Sequence, residues 1–194
     1  MFDNIKNNFS HFVQLSDADF ETVKSFMQVE KLKQKEFLFQ EGDVCKYVYY
    51  INYGCVRYFY NADGYEKTGQ FFFENAWYSD YASFLSGKPT SMSLQALEAT
   101  EVIQIGKADI EKLYAQLPKF ERFGRLMAEI AVLGLMRKNE NLTLLSSEER
   151  YLKLIKERPK VIERVSLKYI ASYLDIKPES LSRIRKKLSQ KVKS

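Results

Sequence analysis

Residues 166–187 read SLKYIASYLDIKPESLSRIRKK, and this stretch predicts two short helices joined by a tight turn. In the first helix, apolar residues recur at helical spacing behind Ser166, which is the candidate N-cap. Asp175 stands where the chain must turn, and Asp tolerates left-handed dihedral angles better than most residues. Pro178 suits the first position of the second helix. Two helices arranged in this way can place the second in the major groove of DNA.

The second helix has distinct inner and outer sides. Leu181, Ile184 and Leu188 form an apolar stripe, whereas Glu179 and Arg183 fall on the opposite side. Arg binds guanine O6 and N7 with two hydrogen bonds, and Glu accepts a hydrogen bond from cytosine N4. The pattern therefore favours a helix that reads bases over a helical hairpin that only packs.

The charge of the chain is concentrated at its C-terminal end. Residues 151–194 hold 13 Lys or Arg against 4 Asp or Glu, whereas residues 1–150 hold 17 against 21, for a net charge of +5. A charge run is often only a solvated face. Because this run coincides with the two-helix pattern, it favours a polyanion, and DNA in particular, as the partner of that end.

Residues 33–105 have a different character. They form short segments rich in Tyr, Phe, Val and Ile, separated by turn residues such as NADG at residues 61–64. Many short strands at this spacing predict a small antiparallel sandwich or barrel. Most of the aromatic residues are therefore expected in the core or on strand faces.

A long helix is predicted to start at Pro118, and it carries apolar residues on more than one side. One side can lie against the strand-rich body, and the other needs a partner, most simply its twin in a dimer. The alternative is a helix that is buried twice within one monomer. Gly134 inside the helix suits a close approach of two helices. The candidate dimer residues are Phe123, Met127, Ile130 and Gly134.

A further helix is predicted after the capping box formed by Ser146 and Glu149, and Pro159 is expected to stop it. Residues 160–165, KVIERV, are short and β-leaning, so they are the candidate wing strand. The sequence thus predicts a winged helix-turn-helix from Ser146 onward.

Several classes of protein are disfavoured by the composition. No stretch approaches the length of a membrane span, and the N-terminus lacks a signal pattern, so a cytoplasmic protein without a membrane partner is expected. The chain offers no Ser/His/Asp set, metal cluster or phosphate-cradling Gly-rich loop, so it is not predicted to be an enzyme. Cys45 and Cys55 match no metal-site spacing and are interpreted as buried small hydrophobic residues.

The order of these parts resembles the Crp/Fnr superfamily of bacterial transcription regulators. The resemblance is carried by IASYLDIKPESLSRIRKKL at residues 170–188 and by WYSDYASFLSGKPTSMSL at residues 77–94. The first motif is most similar to the Bacteroidetes-type variant, in which Gly is more usual at the position of Asp175. The resemblance implies an α+β fold with an N-terminal antiparallel β-roll (a double-stranded β-helix), a long dimerisation helix and a C-terminal winged helix-turn-helix.

The resemblance also implies roles for residues of the second helix. Base-reading positions of the family match Glu179 and Arg183, with Pro178 in a further reading position. Hydroxyl and ammonium groups nearby suit phosphates, which set the register of a protein on DNA without reading sequence. The predicted DNA contacts are Pro178, Glu179, Ser180, Ser182, Arg183, Lys186, Lys187 and Lys168.

The candidate effector pocket consists of Asp80, Thr90 and Ser91. Cyclic-nucleotide binders of the superfamily have Gly-Glu, whose Glu holds the ribose 2′-hydroxyl, and then Arg-Ser or Arg-Ala, whose Arg pairs with the cyclic phosphate. The matching positions here are Ser79-Asp80 and Thr90-Ser91. Asp80 can still accept from a ribose hydroxyl, but Thr90 cannot neutralise a phosphate, and burying a phosphate without a cation is strongly disfavoured. Cyclic AMP and cyclic GMP are therefore not expected to bind.

Other cofactors of the superfamily are not expected either. Its iron–sulfur branch requires a set of Cys ligands and its haem branch a sensor-domain His, whereas this chain has two Cys and one His, His11 near the N-terminus. No cofactor is predicted.

The sequence therefore predicts a homodimeric, sequence-specific DNA-binding transcription regulator with a degenerate effector pocket. Its expected parts are a sensor domain at residues 1–117, a dimerisation helix and hinge at 118–145, and a DNA-binding domain at 146–194. The expected partners are a near-palindromic DNA site, a second copy of the chain and RNA polymerase. Two alternatives stay open: a cyclic-nucleotide-responsive regulator that uses another cation, such as Arg57 or Lys88, and an adaptor that does not bind DNA.

Overall fold

The computed structural model describes residues 2–191, with side chains described up to Gln190. Eight strands form the N-terminal part of the fold: β1 (Gln28–Leu32), β2 (Phe37–Phe39), β3 (Tyr47–Tyr53), β4 (Cys55–Ala62), β5 (Tyr65–Phe73), β6 (Trp77–Tyr78), β7 (Met92–Ala96) and β8 (Thr100–Gly106). They make two four-stranded sheets, in the orders β1-β8-β3-β6 and β2-β7-β4-β5. Strand β8 pairs antiparallel with β1 and with β3, and β7 pairs antiparallel with β2. The predicted antiparallel β-roll is confirmed.

Nine helices lie within the described residues. The first five end with the long helix, and four follow it. The first group is α1 (Asp3–Ser10), α2 (Asp17–Lys24), α3 (Tyr81–Ser86), α4 (Lys107–Gln116) and α5 (Pro118–Leu144). The second group is α6 (Ser147–Glu157), α7 (Pro159–Arg164), α8 (Leu167–Tyr173) and α9 (Pro178–Lys191).

Turn chemistry explains the hairpin between β4 and β5. Asp63 and Gly64, between β4 and β5, both have positive φ, at 52° and 79°. Two residues of this kind make the hairpin turn whose twist matches that of the flanking strands. Buried side chains from both sheets, including Ile51, Val56 and Leu94, form a core cluster between them.

A second core cluster lies on the outer side of the first sheet. Buried residues of β3 and β8, such as Tyr50 and Ile103, pack with side chains from α1, α2, α4 and the start of α5. Its centre is aromatic: the ring centroid of Phe9 is 5.6 Å from that of Phe120 and 4.8 Å from that of Phe123. The helices thus cover the apolar outer face of that sheet.

The long helix α5 begins at Pro118 as predicted, and its 27 residues make it about 40 Å long. Its first turns carry the only residues of the helix that are fully buried, Phe120 and Phe123. From Ile130 onward its large apolar side chains are exposed. These exposed residues are Ile130, Val132, Leu133, Leu135, Met136, Leu142 and Leu144.

The chain divides into two compact units, Met1–Tyr58 with Phe71–Leu133, and Phe59–Gln70 with Gly134–Ser194. Within the second unit, the hairpin between β4 and β5 is bonded to the C-terminal helices. The hydroxyl of Ser172 donates to the carbonyl oxygen of Glu66 at 2.6 Å and accepts from the backbone N–H of Thr68 at 2.9 Å. The sequence pattern gives no indication that these hairpin residues pack with the C-terminal helices.

The helices of this unit begin largely where the sequence predicts, with two corrections. The capping box of Ser146 and Glu149 is present. The hydroxyl of Ser166, however, makes no capping hydrogen bond, although the residue occupies the N-cap position of α8. The wing-strand prediction at residues 160–165 is wrong: Pro159–Arg164 form the helix α7, with Pro159 at its start. No strand lies between residues 146 and 191, so the described part of the C-terminal region shows no wing.

We expect the turn between α8 and α9 to depend on its left-handed residue. Asp175 has φ +53°, as its position in the sequence predicts. Asp175→Ala should lower stability by about 1 kcal/mol, because an ordinary side chain is strained in this conformation. The thermal midpoint of unfolding should fall by about 2–4 °C in a chain of this size. Asp175→Gly is the control and should cost less than Asp175→Ala, because Gly adopts positive φ without strain. Equal losses in the two variants would contradict this account.

Candidate nucleic-acid interface and effector pocket

The two-helix motif is held together by an apolar interior. Ile170, Ala171 and Leu174 from α8 and its C-cap are buried together with Leu181 of α9. The backbone N–H of Ile176 donates to the carbonyl oxygen of Ala171 at 3.0 Å, which closes the turn. This packing fixes which side of α9 is turned away from the interior.

The predicted DNA-contacting residues lie on the accessible side of the motif. All of them are exposed except Ser180, which is half-buried. Helical geometry adds one candidate that the sequence analysis missed: Gln190 lies one turn beyond Lys186 and is exposed. Its four-residue spacing from Lys186 was the available signal, and Gln is a side chain that can bind adenine with two hydrogen bonds.

Two basic residues of this face have contacts within the chain. Arg183 donates to the hydroxyl of Ser180 through a long hydrogen bond of 3.3 Å. Lys187 is bound more tightly, because its ammonium donates to Glu148 of α6 at 2.6 Å. The assignment of Lys187 as a DNA contact stays a prediction, and this ion pair would have to be exchanged for one with phosphate.

The structure brings Asp80 and Thr90 together. Both are buried, and the hydroxyl of Thr90 donates to Asp80 Oδ2 at 2.5 Å. Asp80 Oδ1 accepts from the backbone N–H groups of Ala82 and Ser83, so Asp80 is the N-cap of α3. Both carboxylate oxygens are thus engaged within the protein, and a ribose hydroxyl would have to displace these bonds. The sequence signal for this role was an Asp directly before a short helix that ends at Gly87.

The third predicted pocket residue lies in a different environment. Ser91 is exposed, whereas Asp80 and Thr90 are buried. Strand β7 begins at the following residue and places Leu94 in the core cluster of the roll. A pocket role for Ser91 therefore stays a prediction.

The two alternative cations have different positions. Arg57 is fully buried, and its guanidinium donates to Gln95 Oε1 at 2.8 and 3.2 Å. Its neighbours Val56 and Tyr58 belong to the core between the sheets, so strand alternation points Arg57 to the other face. Lys88 lies on the exposed segment before Thr90. Of the two, only Lys88 has a position that suits a ligand at Thr90.

Aromatic side chains fill the part of the roll near Thr90. The rings of Tyr58 and Tyr78 are stacked with centroids 5.4 Å apart, and Phe72 lies 4.5 Å from Tyr78. The hydroxyl of Tyr78 donates to the sulfur of Met92 at 2.9 Å. This wall is apolar and polarisable, which suits an uncharged or aromatic group.

The four residues predicted at the dimer interface do not share one environment. Phe123 is buried against Phe9, Phe12 and Trp77, so it belongs to the core of its own chain and is removed from the predicted interface. Met127 packs at the edge of the same cluster. Ile130 is 52% exposed, and a side chain at Gly134 would meet no atom within 4 Å.

Neither cysteine is placed for metal binding. Cys45 and Cys55 are both buried free thiols, as predicted, and burial raises the pKa of the Cys45 thiol. Within residues 2–191, no cluster of three or more His, Cys, Asp or Glu side chains could hold a metal ion. None of the helices described there is both long and apolar enough to cross a membrane.

Part of the chain matches a family of known proteins. Residues 29–117 match the family model described as the cyclic nucleotide-binding domain. A search of curated protein sequences found no significant match. Solved structures with a similar fold include the regulator CLP of Xanthomonas campestris, described as responsive to c-di-GMP. This chain is 18% identical to CLP, with a TM-score of 0.73 over 91% of this chain and 93% of that chain.

Two further solved structures are similar over most of this chain. A putative Crp/Fnr-family transcriptional regulator from Eubacterium rectale has a TM-score of 0.74 and 15% identity, over 95% of this chain and 88% of that chain. FixK2 from Bradyrhizobium japonicum has a TM-score of 0.69 and 22% identity, over 85% of each chain. At these identities the similarity concerns the fold alone. Residues 29–117 are therefore similar to the cyclic nucleotide-binding domain, and the fold is similar to those of the three solved structures, one of which is a putative Crp/Fnr-family regulator.

Proposed function

We propose that this chain is a homodimeric, sequence-specific DNA-binding transcription regulator whose cyclic-nucleotide pocket is degenerate. The observation that carries the proposal is the outer face of α9, where Glu179, Arg183 and Lys186 are exposed on a helix whose inner side is packed. These side chains offer two base-reading groups and a phosphate-binding ammonium in consecutive turns. That combination is what a helix in the major groove requires.

The dimer is supported by the second half of α5. Its exposed apolar residues occupy two opposite sides of the helix: Ile130 and Leu133 on one side, and Val132, Leu135 and Met136 on the other. Exposed apolar surfaces of this kind are typical of interaction sites. A second copy of the chain can bury both apolar sides of α5. Its own α5 then packs on the Ile130 side, and another part of the partner covers the opposite side.

The degenerate pocket is supported by the contact between Asp80 and Thr90. The position that pairs with phosphate in the superfamily is a buried hydroxyl here, and its partner is a carboxylate. A cyclic phosphate placed there would meet a negative charge and no cation from either position. Its desolvation would not be compensated.

We expect cyclic AMP and cyclic GMP neither to bind at physiological concentration nor to change DNA affinity. The loss of the phosphate-pairing cation removes the main anchoring charge, and a ligand can shift a conformational equilibrium only through different affinities for the two states. Titration calorimetry with cyclic AMP tests this, with a known cyclic-AMP-binding protein as the positive control. A dissociation constant below about 10 μM, worth roughly 7 kcal/mol, would contradict the proposal.

The second candidate function is a regulator that responds to a cyclic nucleotide through Lys88. The match of residues 29–117 to the cyclic nucleotide-binding domain and the exposed position of Lys88 near Thr90 favour it. It predicts cyclic-nucleotide binding that is lost in Lys88→Met, so the same calorimetric titration separates the two candidates.

Selection of bound duplexes from a random DNA pool tests the principal proposal. We expect the full chain to enrich one motif with near-two-fold symmetry, and the selection should be repeated with cell extract to reveal an effector. The matched control is the same selection with Arg183→Ala and Lys186→Ala combined, which removes two charges from α9 and leaves its buried side intact. Failure of the wild-type chain to enrich any motif under both conditions would favour the adaptor that does not bind DNA.

A further inference from the structure

A small pocket lies within the C-terminal unit, among the end of α5, the helix α6 and the end of α8. Its volume is about 60 Å³, which is room for a compact group of a few heavy atoms. Four basic side chains and one carboxylate line it: Lys138, Arg150, Lys153, Arg158 and Glu157. The lining is thus strongly cationic, and it is built from three different helices and the turn after α6.

One nitrogen of Arg150 is a hydrogen-bond donor without an acceptor, which indicates that a ligand binds here. One of its terminal nitrogens donates to the carbonyl oxygen of Leu145 at 2.8 Å, and the other donates to that of Leu174 at 3.0 Å. These bonds hold the guanidinium in place. Its Nε is buried and has no hydrogen-bond partner in the protein. A buried charged N–H without an acceptor is destabilising, so it favours a bound group that can accept from it.

Lys153 and Lys138 each donate a hydrogen bond to an uncharged acceptor. The ammonium of Lys153 donates to Asn141 Oδ1 at 2.8 Å, whereas Glu157 is 3.9 Å away. The ammonium of Lys138 donates to the carbonyl oxygen of Gly69 at 2.6 Å. Burial lowers the pKa of Lys138, and an anion beside it would favour its charged form again.

These donors fit a tetrahedral oxyanion better than a carboxylate. A phosphoryl group offers several acceptor oxygens and up to two negative charges, and Arg and Lys side chains are its usual ligands in proteins. We propose that this pocket binds a phosphoryl group, with Arg150 Nε and Lys153 Nζ as donors. Neither residue belongs to the reading face of α9 or to the pocket of Asp80 and Thr90.

The phosphoryl group could come from a small phosphorylated molecule or from the backbone of DNA, and the latter source rests on the proposed function. In either case the bound group would tie α5 to α6 and to the end of α8. Because these helices support α9, occupancy should stabilise the fold of the C-terminal unit. A ligand that binds only the native state stabilises it by RT ln(1 + L/Kd) at free ligand concentration L, so the unfolding temperature rises with ligand concentration.

The first arm of the test uses the full chain without DNA. Pyrophosphate and inorganic phosphate are titrated at constant ionic strength, and binding is measured by calorimetry and by the thermal midpoint. We expect saturable binding that becomes about tenfold weaker or more in Lys153→Met, because a charge-assisted hydrogen bond is lost. Lys156→Met is the matched control: it removes the same charge from an exposed position of α6 outside the pocket, and its affinity should equal that of the wild type.

A second variant tests whether weaker binding in Lys153→Met is caused by a loss of folding. Arg150→Lys keeps the positive charge but removes the Nε donor, and it should also weaken pyrophosphate binding. In each variant the thermal midpoint without ligand reports whether the fold is retained. If Lys153→Met and Arg150→Lys retain the fold and bind pyrophosphate as the wild type does, the proposal is wrong.

The second arm uses a duplex of random sequence. If the pocket holds a DNA phosphate, Lys153→Met weakens duplex binding and pyrophosphate competes with the duplex; if it holds a small molecule, duplex affinity is unchanged in that variant. If neither Lys153→Met nor Arg150→Lys changes the affinity for pyrophosphate, phosphate or the duplex, the proposal is wrong. That outcome is separate from the DNA selection, which can still enrich a motif through α9.

Discussion

Ile130→Asp should convert the protein from a dimer into a monomer that no longer binds its DNA site. Ile130 is 52% exposed and lies on the same side of α5 as Leu133, which is 51% exposed. In a two-fold seam, an Asp at this position would lose its apolar contact and approach its own copy in the partner. The expected cost to dimerisation is about 3 kcal/mol or more, roughly a hundredfold in the dissociation constant.

Sedimentation velocity at micromolar concentration measures this effect, and a gel shift on the selected duplex measures its consequence. Arg122→Gln is the matched control, since it changes the charge of the same helix by the same amount at an exposed polar position two turns before Ile130. It should remain dimeric. The two half-sites of the DNA motif should lie about 34 Å apart, one helical turn of DNA. A wild-type chain that sediments as a monomer with and without DNA would exclude the two-fold seam.

The features that sequence predicted well are those decided by neighbouring residues. The capping box at Ser146 and the left-handed Asp175 each depend on a few adjacent side chains and the backbone. The same holds for the helix that starts at Pro118. Local interactions of this kind are encoded in short segments, so a pattern of types and spacings is sufficient to find them.

Residues 160–165 show how a short segment misleads. The β-branched residues and the short length favour a strand, but Val161 and Val165 are the buried pair, and they are four residues apart. That spacing matches one helical turn, whereas a strand would bury alternate residues. Pro159, interpreted as the end of one helix, also provides the first residue of the next. Packing of two valines outweighed intrinsic strand preference.

The predictions for the candidate pocket and for the dimer helix depended on tertiary contacts. Sequence position placed Phe123 on the same stripe as Ile130, but the first turns of α5 lie over the aromatic cluster, and only the later turns are exposed. Likewise, the sequence supplied Asp80 and Thr90 as separate ligand groups, and their mutual hydrogen bond became visible only once the strands were folded. Neither outcome depends on residues that are adjacent in the chain.

Arg183→Ala should lower affinity for the selected DNA site by about 1–3 kcal/mol and relax base preference at one position of each half-site. Arg183 is exposed on α9, and its only described hydrogen bond is a 3.3 Å contact with the hydroxyl of Ser180 one turn away. Such a weak contact leaves the guanidinium available for a bidentate contact with guanine. Loss of that contact should affect the preferred base much more than other sequences.

Lys186→Ala supplies the comparison, because it removes one positive charge from the next turn of the same face. It should weaken binding to all sequences alike and reduce the salt dependence by about one counterion. Lys187→Ala should have a smaller effect than Lys186→Ala, since the ammonium of Lys187 is already paired with Glu148. Repeating the DNA selection and a salt titration with the three variants distinguishes residues that read bases from residues that contact phosphates. If Arg183→Ala selects the same motif with unchanged affinity, α9 is not the helix that reads the bases, and the placement of the interface is wrong.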